Sequence, residues 1–213
     1  MYIFSMENPF FRFVGKVVDL VWLNLLTLVC CIPLFTVGAS LCAMYRVLIK
    51  MAMNEEGTIT GVFFREFKNS FKSSIRVWLP SALIFVFLGI NARLLTEGAL
   101  SLYGSLYIPV GVSIGLLMSA ILIFWQYCFA IMARYDLETG KNVKNSLLLM
   151  LGYLPSSLSI LLIILFPVAL MLISDYFLWF WFLYGFSIPG YFIAMVLGRI
   201  FRKSENYNEP AEI

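Results

Sequence analysis

Residues Tyr176 to Gly198 read YFLWFWFLYGFSIPGYFIAMVLG, 23 positions without a charge. A helix needs about 20 apolar residues to cross the hydrocarbon core of a bilayer. The Leu, Ile, Phe and Val residues here number eleven, and they favour insertion by roughly 3–7 kcal/mol in total. Pro189 and Gly190 weaken the helix, but a membrane tolerates them where neighbouring helices re-satisfy the backbone. Trp179, Trp181 and Tyr184 sit toward one end, as an interfacial aromatic belt does.

Four more uncharged stretches precede this one: Leu20–Tyr45 (26 residues), Val77–Ala92 (16), Gly98–Ala133 (36) and Asn145–Ser174 (30). Across all 213 residues, 62% are hydrophobic and 13% charged, with mean hydropathy +0.91. Soluble domains run about 45–50% apolar and about 25% charged. The chain is therefore expected to be an all-α polytopic transmembrane helix bundle with five hydrophobic segments. Residues 1–203 read as one membrane-embedded domain and Ser204–Ile213 as a polar, disordered cytoplasmic tail. In the third stretch, Gly98–Tyr107 with its Gly104, serines and tyrosines reads as an outer loop before a helix over about 108–133. The first apolar run is too long for a signal h-region, so no cleavable signal peptide is expected.

Composition also excludes chemistry. Histidine is absent, which removes a His-dependent triad and a His-ligated zinc site. Cys30, Cys31, Cys42 and Cys128 lie in apolar runs at spacings that match no ligand pattern, so they read as small hydrophobes. No phosphate-loop or dinucleotide glycine signature occurs. A net charge of +3 is too small and scattered for a nucleic-acid footprint. No catalytic, cofactor-binding or metal residue is expected, and no cofactor.

Basic residues set the orientation, because they concentrate in cytoplasmic loops. Arg46, Lys50, Arg65, Lys68, Lys72, Arg76, Arg134, Lys141, Lys144, Arg199, Arg202 and Lys203 fall on one side under alternating crossings, leaving Arg93 as the only loop cation opposite. The C-terminus is expected to be cytoplasmic. Five crossings put Arg12 and Lys16 outside. A turn at Pro33–Gly38 divides the first segment into Pro9–Ile32 and Leu34–Lys50, makes six crossings and brings both inside. Length favours five and charge favours six.

Thr60–Arg76 reads as an amphipathic helix at the cytoplasmic interface. Phe63, Phe67 and Phe71 recur every four residues, while Arg65, Lys68, Lys72 and Arg76 occupy the other side. Rings in acyl chains with cations at anionic headgroups is the plainer reading; a docking helix for a transport partner is the sharper one. Two units also echo each other. Lys68-Asn69-Ser70 precedes Leu79-Pro80-Ser81 as Lys144-Asn145-Ser146 precedes Leu154-Pro155-Ser156, and glycine-bearing acidic turns (Glu55-Glu56-Gly57, Glu138-Thr139-Gly140) stand upstream. Parallel repeats of this kind occur among transporters.

Polar residues inside spans are the first places to look for function. Asp19, Asn24, Asn91, Gln126 and the Arg134/Asp136 pair qualify, with Asp19, Asn24 and Gln126 the candidates for polar intramembrane contacts. The plain alternatives are snorkelling for Asp19 and interhelical hydrogen bonds for Asn24 and Gln126.

Asn8-Pro9-Phe10, Asn24-Leu25-Leu26, Ile32-Pro33-Leu34, Thr36-Val37-Gly38-Ala39-Ser40, Tyr45 and the Phe63–Lys72 stretch together resemble the YesL family of bacterial integral membrane proteins, a domain of unknown function. The likeness is strongest over residues 8–80. It implies a bacterial inner-membrane location and a role beside carbohydrate import, and carries no assigned catalytic or binding residue. The expected function is a non-enzymatic accessory component of transport, with the lipid bilayer and its anionic lipids as partners and a transport complex as a further one. A transporter or permease subunit in its own right is the first alternative, lowered by the absence of an EAA-type loop motif, and a structural or lipid-interacting protein is the other.

Overall fold

The computed structural model describes residues 9–53, 58–96, 107–135, 138–173 and 184–208. Every regular element in them is helical: α1 (Pro9–Cys31), a 3-10 turn (Leu34–Thr36), α2 (Val37–Met53), α3 (Ile59–Thr96), α4 (Tyr107–Arg134), α5 (Thr139–Gly152), α6 (Leu154–Ile173) and α7 (Ser187–Asn208). The all-α membrane bundle is what the composition calls for. The Gly98–Gly104 loop, Glu55-Glu56-Gly57, Asp136, Trp179 and Trp181 lie outside the described residues.

The first segment breaks at Pro33. Proline pushes the residue before it out of helical conformation, so α1 ends at Cys31. Buried Thr36 then ties the turn, its hydroxyl 2.5 Å from the Cys30 carbonyl and 2.6 Å from that of Pro33. Gly38 is no part of the break: it lies inside α2, against α3.

Amphipathic residues 60–76 do not form an interfacial helix of their own. They are the first half of α3, which runs unbroken through Pro80 for 38 residues. At ~1.5 Å per residue that is a rod of ~57 Å. The hydrocarbon core is about 30 Å thick, so α3 carries its charged half beyond it. The fourth hydrophobic segment differs in the opposite way. It is two helices, α5 and α6, bent by 97°. The break falls at Tyr153 (φ −118°, ψ 54°), between Gly152 and Pro155. The echoing positions in α3 are Val77, Trp78 and Pro80, and valine costs a helix less than glycine. Ser157 donates its hydroxyl to the Met150 carbonyl at 2.8 Å, satisfying an acceptor at the end of α5. α7 runs on to Asn208, so the segment read as a disordered tail begins as helix.

Among the described residues, four helices are long and apolar enough to cross a membrane, or five if the bent pair is one span; Ser187–Ile200 is a shorter apolar helix. The core lies where α2 meets the first half of α3 and the last third of α4. Cys42, Ala43, Met44, Tyr45 and Leu48 of α2, Phe63 of α3, and Tyr127–Ile131 of α4 are all buried, with Leu23 of α1, Ile160 of α6 and Leu197 of α7. Beyond this core α3 and α4 project bare apolar surface: Leu83, Phe87 and Ile90, and Ile108, Val112 and Leu116, are all more than half exposed.

Register decides how far the first hairpin reaches. Trp78 donates its indole N–H to the Leu34 carbonyl at 2.8 Å, which sets the Pro33 turn level with the start of the uncharged stretch 77–92. α2 therefore accompanies only the charged half of α3. If 77–92, ~24 Å long, is the crossing, the turn stops at the membrane's edge. With the four native cysteines replaced, Phe35→Cys is expected not to react with a membrane-impermeant maleimide from the face opposite Lys72→Cys. Labelling from that opposite face would mean that α1 and α2 cross completely.

Candidate functional site

The polar candidates within spans are used to join helices. Asn24 is fully buried in α1, and its Oδ1 accepts the backbone N–H groups of Phe186 (3.0 Å) and Ser187 (3.3 Å). It thus caps the start of α7 from another helix. Gln126 Oε1 accepts the Tyr45 hydroxyl, linking α4 to α2. The hydroxyls of Tyr127 and Ser157 lie 3.2 Å apart between α4 and α6. Asn91 donates to the Phe87 carbonyl of its own helix at 2.8 Å. Asp19 is half-buried on α1.

The phenylalanine stripe turns inward. Phe63 is fully buried and Phe67 packs against the core, its ring 6.3 Å from Phe63 and 5.9 Å from half-buried Phe71. Phe63 is thus a core residue, not a ring set in acyl chains, while Phe64, 42% exposed, faces out. Arg65, Lys68 and Lys72 are exposed, and the cationic face expected of this stretch is present.

An aromatic cluster fixes the start of the uncharged half of α3 to its neighbours. Trp78 and Trp125 lie 4.7 Å apart, with Phe85 5.2 Å from Trp125 and Phe129 6.3 Å from Trp78. The Trp125 indole N–H donates to Ser81 Oγ at 2.8 Å. Trp22 of α1 donates likewise to Thr60 Oγ1 at 3.1 Å.

At the charged end a polar cavity of about 240 Å³ lies between α2, α3 and α4. Arg46, Arg65 and Arg134 line it, one from each helix, together with Glu66, Ser70 and Ser73. Arg46 Nη1 donates to the Ala133 carbonyl at 3.1 Å. Arg134 lies over the Tyr135 ring, 5.7 Å from its centroid, with Nη1 3.8 Å from Met53 Sδ. Ser70 donates to Glu66 Oε1 at 2.6 Å. The sequence marks Arg46 only by orientation, Arg65 as part of the amphipathic stretch and Arg134 as a possible partner of Asp136, and it does not bring the three together. A signal was available: Glu66, Ser70 and Ser73 recur at i, i+4 and i+7, a polar stripe beside the phenylalanines. A second cavity of about 390 Å³, between α6 and the start of α7, is lined by Leu162, Phe166, Leu170, Ile188 and other apolar residues.

Fold and site together define a multi-pass membrane helix bundle with one strongly cationic end. Residues 20–92, from mid-α1 to near the end of α3, match the model of a family described as a protein of unknown function, DUF624. No curated protein and no solved structure matches the chain.

Proposed function

We propose that this chain is a non-enzymatic accessory subunit of a transport system in the bacterial inner membrane, with its C-terminus in the cytoplasm. The family match fits the YesL resemblance, and that resemblance gives carbohydrate import as the setting. The observation that supports the subunit reading is lateral exposure. In the apolar windows of α3 and α4, 11% and 6% of residues are buried, against 61% in α2. A self-contained transporter packs its spans around a polar route near mid-membrane. Here Asn24 and Gln126 are engaged in joining helices, and the bare faces of α3 and α4 are available to a partner's helices.

Extraction from the native host in mild detergent, followed by mass spectrometry, tests this reading. Stoichiometric recovery of a permease or its ATPase is expected. The double variant Lys68→Glu/Lys72→Glu, altered only on the exposed face, is expected to reduce that recovery several-fold if the cationic arm takes part. Recovery of the chain alone, with uptake reconstituted in vesicles containing nothing else, would contradict the proposal.

A further inference from the structure

We infer, building on the accessory-subunit reading, that the outer face of α3 docks a partner's membrane-spanning helix whose cytoplasmic extension is acidic. One row of exposed positions runs the length of α3. Arg65, Lys68, Lys72 and Arg76 begin it, and Leu79, Leu83, Phe87, Ile90 and Leu94 continue it, all of them exposed. The intervals repeat as three, four and four residues. An eleven-residue repeat averages about 3.7 residues per turn, so the row keeps to one side of the rod. On the opposite side Ser74 and Trp78 face α2, and Phe85 meets Trp125 of α4. The row changes from cationic to apolar between Arg76 and Leu79, where the uncharged stretch begins.

A bilayer accounts for only part of this row. Acyl chains suit its apolar half, and anionic headgroups suit the nearest cations. With 77–92 as the crossing, Lys72 stands ~8 Å along the axis from Val77, Lys68 ~14 Å and Arg65 ~18 Å. The headgroup layer is about 5–8 Å deep on each side, so Lys68 and Arg65 lie beyond it. Consecutive cations stand three or four residues apart, where like charges on a helix repel. Among the described residues no carboxylate pairs with any of the four, and half-buried Glu66, off the row, accepts the Ser70 hydroxyl. A helix running alongside, apolar against Leu83 and Ile90 and bearing Asp or Glu at the level of Lys68 and Lys72, meets both halves at once. Packing within the membrane supplies the affinity, while exposed ion pairs add little singly but set register and partner. A second copy meeting this face with its own would set cation against cation at every level, because both chains lie the same way up.

Photocrosslinking in the native host tests this. A benzophenone amino acid replaces Leu83, Asn69 (exposed between Arg65 and Lys72) or Leu116 on α4, and adducts are identified by mass spectrometry. Leu83 and Asn69 are expected to capture one and the same chain, at a segment with carboxylates just beyond an apolar span. Lys68→Glu/Lys72→Glu is expected to lower both yields several-fold with the melting temperature of the isolated chain unchanged, and Lys68→Arg/Lys72→Arg to keep them. No adduct, or adducts with lipid alone, with a second copy or with a segment lacking carboxylates, would overturn the docking face. So would a lower melting temperature in the charge-reversed variant, which would mean that the chain's own carboxylates hold these cations. A transport component captured only from Leu116 would overturn this face and leave the accessory reading standing. An acidic helix captured from Leu83 and Asn69 that belongs to no transport system would uphold the face and contradict that reading.

Discussion

Gly38→Ala is expected to destabilise the protein by about 1–3 kcal/mol, the range for overfilling a packed interface. A Cβ built at Gly38 would stand 2.9 Å from Trp78 Cβ and 3.3 Å from both Cβ and the backbone oxygen of Ser74. These are atoms of the α3 main chain or fixed to it, so relief requires the helices to separate. Separation would also stretch the indole bond from Trp78 to Leu34 and loosen Trp78 from Trp125. Small residues at such crossings let membrane helices approach closely. Gly190 is the control. There a Cβ would meet Leu48 Cδ1 at 2.9 Å and Met44 Cε at 3.1 Å, the movable ends of flexible side chains. Thermal melting in detergent should therefore rank Gly38→Ala well below Gly190→Ala. The reverse order would mean that the α2–α3 approach is less close than described.

Asn24→Leu carries the second large effect. The buried amide oxygen accepts two backbone N–H groups at the start of α7, and leucine removes that acceptor from both. An orphaned buried donor costs about 1–3 kcal/mol. The loss should concentrate at α7, with faster hydrogen exchange at Phe186 and Ser187 than in α2. Asn24→Asp keeps an acceptor beside a helix N-terminus, where negative charge is favoured, and should retain more stability than Asn24→Leu. Equal losses in the two variants would show that volume, not hydrogen bonding, sets the role of Asn24.

Why some features were legible and others not follows from range. Uncharged length and apolar composition are local, so the helical membrane class and the Pro33 break could be read directly. Four-residue spacing revealed the amphipathic stretch 60–76, but not what its rings face. A row of phenylalanines looks the same whether lipid or α2 lies opposite, and only packing shows Phe63 buried. Pro80 and Pro155 stand in the same local motif, yet α3 passes straight through one and the chain bends at Tyr153 before the other. The cavity at the charged end needed tertiary structure, because Arg46, Arg65 and Arg134 are far apart in sequence and each, alone, is an ordinary basic residue on a helix.

The central feature of this account is α3 as one rod that carries its cationic half off the membrane. The distance between spin labels at Lys68→Cys and Ile90→Cys, both on exposed positions, tests it most directly. A continuous helix places these backbone positions ~33 Å apart. An amphipathic helix lying flat in the interface and hinged at right angles near Arg76 would bring them to ~24 Å. A single distribution near the longer distance is the predicted result, and one centred on the shorter distance would contradict the account.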